Sequence, residues 1–358
     1  MTVRRLNNLV RNGVTYSPSA GGGPAIANTT ATGPYPGGKT YYVWANAGEM
    51  GTLNAANAAL NLQRVDHGVR RVTPSSSIAF TTNPIEYWVV SGGGGGANGN
   101  TAGAGGGAGG YATGTLTIGA SPLNIIVGWG GTGSTPAARE TYPGLGQGGP
   151  SVFGPVSVIG GGRGAVGGGP NGANGSGPSE DDASPGASGG GGARFHPIAG
   201  GGTPGIGNTG GPAPGCPGFG SGGGGGATGA GEGFFCFPIS IAGQGGAGIQ
   251  MPSPFRPLGY GSPGPASPTG YFCGGGGGSN WNQSEAQLGG FGGGGGWNSP
   301  TTPRPGSVGA AQTFNALPNS GGGGGGTGSG ENPRGATPLV TSSFRGGDGG
   351  SGIVIIIT

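Results

Sequence analysis

Charge is what this sequence has least of. Only 14 of its 358 residues are lysine or arginine and 11 are aspartate or glutamate, and Lys39 is the single lysine. The formal net charge of +3 is spread over scattered arginines. A protein that grips a phosphate backbone gathers Lys and Arg on one face, so no nucleic-acid partner is expected. Cysteine is scarce as well. Cys216, Cys236 and Cys273 are an odd number with no CxxC pair, which encodes neither a zinc site nor a complete disulfide framework; free thiols are expected. The longest apolar run, Ile353 to Ile357, falls far short of the roughly 18 residues that cross a bilayer, and the start Met-Thr-Val-Arg-Arg-Leu-Asn-Asn has no apolar signal core. The expectation is a soluble chain without membrane insertion or signal-peptide secretion. Catalytic groups are thin too. The paired, sheltered carboxylates of a polysaccharide depolymerase are hard to assemble from so few scattered acids, and His67 and His196 are the only histidines. No enzymatic activity and no cofactor are expected.

What the chain has instead is glycine (102) and proline (32), together more than a third of its residues. That exceeds the roughly 25–30% at which an aperiodic sequence reads as disordered. Two features oppose disorder. Disordered chains are rich in charge and poor in aromatics, whereas here each class is 7%. The glycines are also gathered into blocks: 92–96, 160–162, 167–169, 189–192, 200–202, 222–226, 274–278, 292–296 and 321–326. No fixed period links them, which excludes a collagen helix. Glycine loses the most backbone entropy on folding and buries no side chain in return. An ordered block therefore has to find partners for its amides. A polyproline-II-like glycine helix has three residues per turn and no internal hydrogen bonds, so its N–H and C=O groups point sideways to neighbours. Such helices pack closely because no Cβ intervenes, and a bundle of them is the expected body, with Gly222, Gly224, Gly276, Gly294 and Gly323 as scaffold positions.

The expected fold class is mostly irregular and all-β: a glycine-helix bundle bracketed by a small β-layer, with a separate N-terminal region. Residues 1–84 have the most ordinary composition; in them Thr40 to Trp44 reads as a strand and Asn54 to Gln63 as a short helix. Pro84 marks a boundary to a body of residues 85–358. Ile85 to Val90, Tyr111 to Ile118, Leu123 to Val127 and Ile353 to Ile357 read as strands. The first and last of these flank the body and are apolar, so they are expected side by side in one layer, where neither leaves an exposed edge.

Motifs with chemical meaning are mostly coincidental. Gly33 to Thr40 fits the P-loop pattern letter for letter, but Pro34 and Pro36 remove two of the amides that would hold phosphate, and a strand follows where a helix is needed; a turn is expected. Gly186-Ala-Ser188-Gly-Gly190 fits GxSxG, which works only at a strand-to-helix turn with a base and an acid elsewhere. Glu180-Asp-Asp182 has no spaced set of further acids for a hard cation. No metal site is expected.

Tyr87-Trp-Val-Val-Ser-Gly-Gly-Gly-Gly-Gly96, Gly109-Gly-Tyr-Ala-Thr-Gly-Thr-Leu-Thr-Ile118, Ile125-Ile-Val-Gly-Trp-Gly-Gly131, Ser151-Val-Phe-Gly154 with Val158-Ile-Gly-Gly-Gly162, and Gly349-Gly-Ser-Gly-Ile-Val-Ile355 resemble, in order, the signatures of the phage glycine-rich domain. The resemblance covers residues 85–358. It implies a virion protein, in the tail or fibre rather than the capsid, similar in style to the adhesins at T-even-type fibre tips, whose polyglycine-II bundle displays receptor-binding loops. Expected partners are a host-surface protein or glycan and, through residues 1–84, other virion proteins. A purely structural tail or capsid component without host contact is the alternative.

Aromatic residues between the glycine blocks bring large contact area at low entropic cost; they serve either recognition or the shielding of bare glycine flanks. If the long blocks alternate in direction and Gly222 to Gly226 leads away from the β-layer, then Ala227 to Cys273 and Trp297 to Ser320 share the distal end. Phe255, Tyr260, Trp297 and Phe314 become the receptor-binding candidates. Further short segments at Gly243 to Gly248 or Gly346 to Gly350 would invert that assignment.

Overall fold

The computed structural model describes residues 9–11, 14–16, 29–35, 38–45, 63–65, 68–70, 75–78, 84–99, 102–117, 123–134, 146–166, 183–193, 198–213, 220–235, 241–265, 267–280, 288–296, 315–328 and 346–358. In chain order its strands are β1 (Leu9–Arg11), β2 (Val14–Tyr16), β3 (Thr29–Tyr35), β4 (Lys39–Ala45), β5 (Gln63–Val65), β6 (Gly68–Arg70), β7 (Ser75–Ile78), β8 (Ile85–Val90), β9 (Asn98–Gly99), β10 (Tyr111–Leu116), β11 (Leu123–Ile126), β12 (Ser151–Phe153), β13 (Val156–Val158), β14 (Ile249–Gln250), β15 (Ser262–Gly264), β16 (Ser267–Phe272), β17 (Thr327–Gly328) and β18 (Ile353–Ile357). Among the described residues there is no α-helix, and a 3-10 turn at Ser253–Leu258 is the one helical element. The fold is all-β and irregular. The helix expected from Asn54 lies outside the described residues apart from Gln63, which opens β5.

A five-stranded antiparallel sheet, ordered β10-β8-β18-β4-β3, forms the centre of one end of the molecule. The first and last strands of the body are neighbours, with Ile353 opposite Val90 and Ile357 opposite Glu86. β-branched and aromatic side chains fit a pleated, buried surface, and successive residues point to opposite faces. Val354 and Ile356 accordingly join Ile85, Val89 and Trp44 on one face, packed on Ile125, Val127, Phe153 and Val158. Those residues lie on or next to the second sheet, ordered β13-β12-β11-β7. Ile353, Ile355 and Ile357 join Trp88, Val90 and Val43 on the other face, packed on Met251, Phe255, Phe272 and Cys273 from the segment carrying β14, β15 and β16. With both faces covered, all five β18 residues are buried. Strands from both sides of Pro84 thus share sheets: β4 pairs with β18, and β7 pairs with β11.

From this sheet end the glycine segments run away side by side. Segment 91–97 shows the rule that governs them. Its amides at 91, 94 and 97 donate to Gly110, Gly107 and Ala104; those at 92 and 95 donate to Gly149 and Gly146; those at 93 and 96 donate to Gly350 and Gly347. Its carbonyls at 92 and 95, 93 and 96, and 94 and 97 accept from segments 160–165, 128–134 and 320–327. Each residue therefore faces a direction shared only with residues three before and after it. Six neighbours surround the segment, and none of these bonds closes within it. Segments 103–110, 220–227 and 273–279 have the same six-fold surround.

Bare backbone is required at such contacts. A Cβ at Gly94 would stand 2.0 Å from the Gly162 carbonyl oxygen, and one at Gly224 1.9 Å from that of Gly106. Segments of the interior, 91–97, 103–110, 187–193, 220–226 and 320–327, are accordingly made of Gly, Ala, Ser and Thr and are buried throughout. Perimeter segments accept a side chain of any size at every third position, the one facing outward: Trp129 and Thr132, Gln147 and Pro150, Ile206, Thr209 and Pro212, Ile241, Gln244 and Ala247, all half-buried or exposed.

Candidate functional site

Where each connection lies follows from the direction of the segments. Segment 91–97 leaves β8, and 103–110 returns antiparallel to it into β10. Segment 220–227 runs parallel to the returning one, since Gly105 donates to Gly222 and Ala108 to Gly225. It therefore leads towards the sheet, and not away as expected. Segment 273–279 is antiparallel to it (Gly224 to Gly276, Ala227 to Cys273) and runs outward. Residues 292–295 and 320–327 are both parallel to 273–279 (Gly274 to Gly292, Gly277 to Gly295, Gly323 to Gly274, Gly326 to Gly277) and also run outward. Strict alternation fails because short returns intervene. Segment 229–234 goes out, 241–248 comes back, and so does 288–291, where Gly245 and Gly248 donate to Leu288 and Phe291. The chain then reverses at Gly292 and Gly293, whose φ of 103° and 88° only glycine adopts readily.

The consequence for the candidate residues is a correction. Within Ala227 to Cys273 the excursion through Phe235 and Ile241 reaches the far pole, but the part from Ile249 to Phe272 lies at the sheet end, where Phe255 is 2% exposed and packs in the core with Trp88 and Phe272. Its ring is already covered and offers no surface to a receptor. Tyr260 is half-buried beside it; burial, with the Tyr41 phenol close by, raises its hydroxyl above the ordinary tyrosine value. Trp297 and Phe314 lie outside the described residues. The chain departs towards them from Gly296, at the end of an outward segment, and re-enters at Asn315, whose side chain accepts from the Asp348 amide on the bundle flank. Phe255 and Tyr260 are thus together, at the pole opposite to the one where Gly296 departs. The scaffold positions Gly222, Gly224, Gly276, Gly294 and Gly323 are all buried between segments, and a Cβ at each would come within 2.1 Å of a neighbouring carbonyl oxygen.

The pole remote from the sheet is closed by hydroxyl groups. Ser279 Oγ accepts from the Gly103 amide at 2.8 Å, Ser221 Oγ donates to the Gly103 carbonyl at 2.7 Å, and the Ser279 amide donates to Ser221 Oγ at 2.9 Å. Ser134 Oγ accepts from the Asn98 amide at 2.6 Å, and the Asn98 side chain donates to Thr327 Oγ1. Where the lattice ends, a short hydroxyl thus replaces the missing neighbour. Phe235, 60% exposed, stands at this pole beside Ile241. Sequence numbers 135–145, 167–182, 194–197, 214–219, 236–240, 281–287 and 329–345 all intervene between segments whose described ends lie here.

The chemical motifs resolve plainly. Gly33 to Thr40 spans the turn of the β3–β4 hairpin, with Lys39 paired to Glu86, and a strand follows where a P-loop needs a helix. Ser188 is fully buried in segment 187–193, its amide donating to Ala108. Glu180 to Asp182 lie outside the described residues, among which no cluster of His, Cys, Asp and Glu could hold a metal. Cys216 and Cys236 also lie outside them; Cys273 is a buried free thiol, and burial pushes its ionisation far up. Only the thiolate reacts at an appreciable rate. Native protein treated with a maleimide should therefore leave Cys273 unlabelled, and labelling should appear only in denaturant; prompt native labelling, read by peptide mass, would contradict the packing of segment 273–279.

A capped, hydrogen-bonded bundle of glycine segments has the build of a rigid scaffold. The glycine-rich domain family matches residues 72–358, about four-fifths of the chain, and the protein belongs to that family. No curated protein matches the sequence significantly.

Proposed function

We propose that this protein is a bacteriophage virion component of tail-fibre or adhesin type, which binds a host-surface protein or glycan non-covalently. In this reading the glycine segments are polyglycine-II helices: the three-residue alternation of bonding direction, the lateral partners and the buried, Cβ-free contacts are what such helices require. One observation carries the functional reading. Connections of the bundle gather at the pole away from the sheet, where a rigid scaffold can offer many loops to one partner. The sheet pole, which includes β3 and β4, is then the side that faces other virion proteins through residues 1–84. Trp297 and Phe314 are the receptor-binding residues in this reading, since aromatic anchors dominate recognition energetics; Phe255 and Tyr260 belong to the sheet pole. Binding without catalysis fits the scarcity of acids and histidines.

Replacing residues 297–314 by a Gly-Ser linker of equal length in the virion should reduce host adsorption at least tenfold while particles still assemble. Normal adsorption of such particles would overturn the assignment of that segment. Failed assembly with normal adsorption by the remaining particles would favour a structural role without host contact.

A further inference from the structure

We propose that the edge of β18 is a strand-accepting site whose exchangeable occupant is the β3–β4 hairpin, so that one copy of the chain lends its hairpin to the β18 of a second copy. The glycine-rich family match begins at residue 72, after the hairpin has ended at Ala45. Without the hairpin the central sheet would stop at β18. Five consecutive β-branched aliphatic residues would then form its border. An edge of that kind templates pairing with another chain, and proteins blunt it with proline, charge or bulges. β18 carries none of these. The blunting sits in the hairpin instead: β3, the true border, has a register irregularity between Thr29 and Ala31, contains Pro34, and is followed by Lys39. The β18 edge is therefore built to be covered, and the hairpin to cover it.

The fit is specific on both faces. Trp44 enters one core and Val43 the other, at 2% and 0% exposure. Register is fixed from Ile353 opposite Ala45 to Ile357 opposite Tyr41, and Thr40 and Thr358 exchange both backbone bonds, at 3.0 and 2.9 Å. The length of the connection is compatible with exchange. The 29 residues from 46 to 74 separate β4 from β7, and the only strands described in that interval, β5 and β6, pair with each other. The 17 residues from 46 to 62 that precede β5 can alone span up to about 55 Å. Because the cost of closing a loop grows only slowly with its length, pairing within a chain and between chains uses the same contacts and differs mainly in local concentration, the condition under which domain swapping is easy.

Thr40 and Thr358 are half-buried and form a hydrogen-bonded antiparallel pair, whose Cα separation of about 5.5 Å suits a disulfide. One chain carrying Thr40→Cys and a second carrying Thr358→Cys, with tags of different size and with Cys216→Ser and Cys236→Ser in both, should be co-expressed and mildly oxidised. Exchange gives a disulfide-linked heterodimer on a non-reducing gel. If the mixture gives none while a single chain with both substitutions closes internally, the hairpin stays at home and the proposal falls. If that double variant does not close either, the β4–β18 pairing itself is refuted, and the proposal with it. Neither result depends on whether a host receptor is bound.

Discussion

Gly276→Val is expected to unfold the glycine body. A Cβ at this position would lie 2.0 Å from the Gly324 carbonyl oxygen and 2.6 Å from its carbon. These are backbone atoms in an adjacent segment, which cannot swing aside as a side-chain end would, and a branched side chain adds two more atoms to the same gap. Overpacking a rigid interior costs about 1–3 kcal/mol or more. The segment can escape only by moving, which breaks the bonds from Gly276 to Gly106 and from Gly224 to Gly276, each worth about 1 kcal/mol net and more if its partners stay buried and unpaired. The sum is comparable with the roughly 5–15 kcal/mol that holds a domain together. Gly294→Val should act alike, because its Cβ would meet the Gly275 oxygen at 2.1 Å. Gly201→Ala provides the contrast, since nothing lies within 4 Å of the added atom, and it should melt within a degree or two of the parent. Equal melting of Gly276→Val and Gly201→Ala would show that the segments are not packed as described.

The second large effect is at Ile355→Asp. Ile355 is fully buried in the middle of β18, opposite Trp88 on one side and Val43 on the other, and its surroundings are apolar. No charged side chain belongs to this cluster, so an ionised carboxylate there lacks a counter-charge and costs several kcal/mol, or else takes up a proton. Its folded-state pKa is then raised above its value of about 3.9 in the unfolded chain. The folded form therefore binds a proton more readily than the unfolded one. Stability is least affected below pH 4 and falls as pH rises through the folded pKa. Ile355→Asn loses the same packing without a titration. The Asp-minus-Asn difference in melting temperature should widen from pH 4 to pH 7; a pH-independent difference would mean that water reaches this strand.

How much of this was legible in the sequence depended on the kind of signal. Ile85 to Val90 and Ile353 to Ile357 announced themselves by β-branched, apolar composition, and their pairing followed from the need to cover two edges. Thr40 to Trp44 was equally readable as a strand, but nothing in its composition says that it completes a sheet more than 300 residues later in the chain. The long glycine blocks were visible as scaffold, whereas their directions were not. Parity hinges on segments such as 128–134 and 207–213, which contain Trp129 and Thr209 and so do not look like glycine blocks. They qualify because an outward position accepts any side chain. The pattern that reveals them, two small residues followed by one arbitrary residue, is short and weak unless the six-fold surround is already known. Phe255 was misplaced because segment 220–227 leads towards the sheet and not away from it, a direction the sequence does not carry; at that pole an aromatic ring in a loop serves the core.

The three-residue alternation also gives each segment a phase, much as a codon gives a message its frame. Inserting one residue into segment 207–213 would turn everything after it by about 120°, swinging a residue such as Pro212 from the perimeter into backbone that leaves no room for it. Inserting three would restore every orientation and lengthen the segment by one turn, about 9 Å. Segment length is thus quantised in triplets, while the connections at the far pole are bound by no such arithmetic, so the lattice can stay constant as the loops it carries change freely in length.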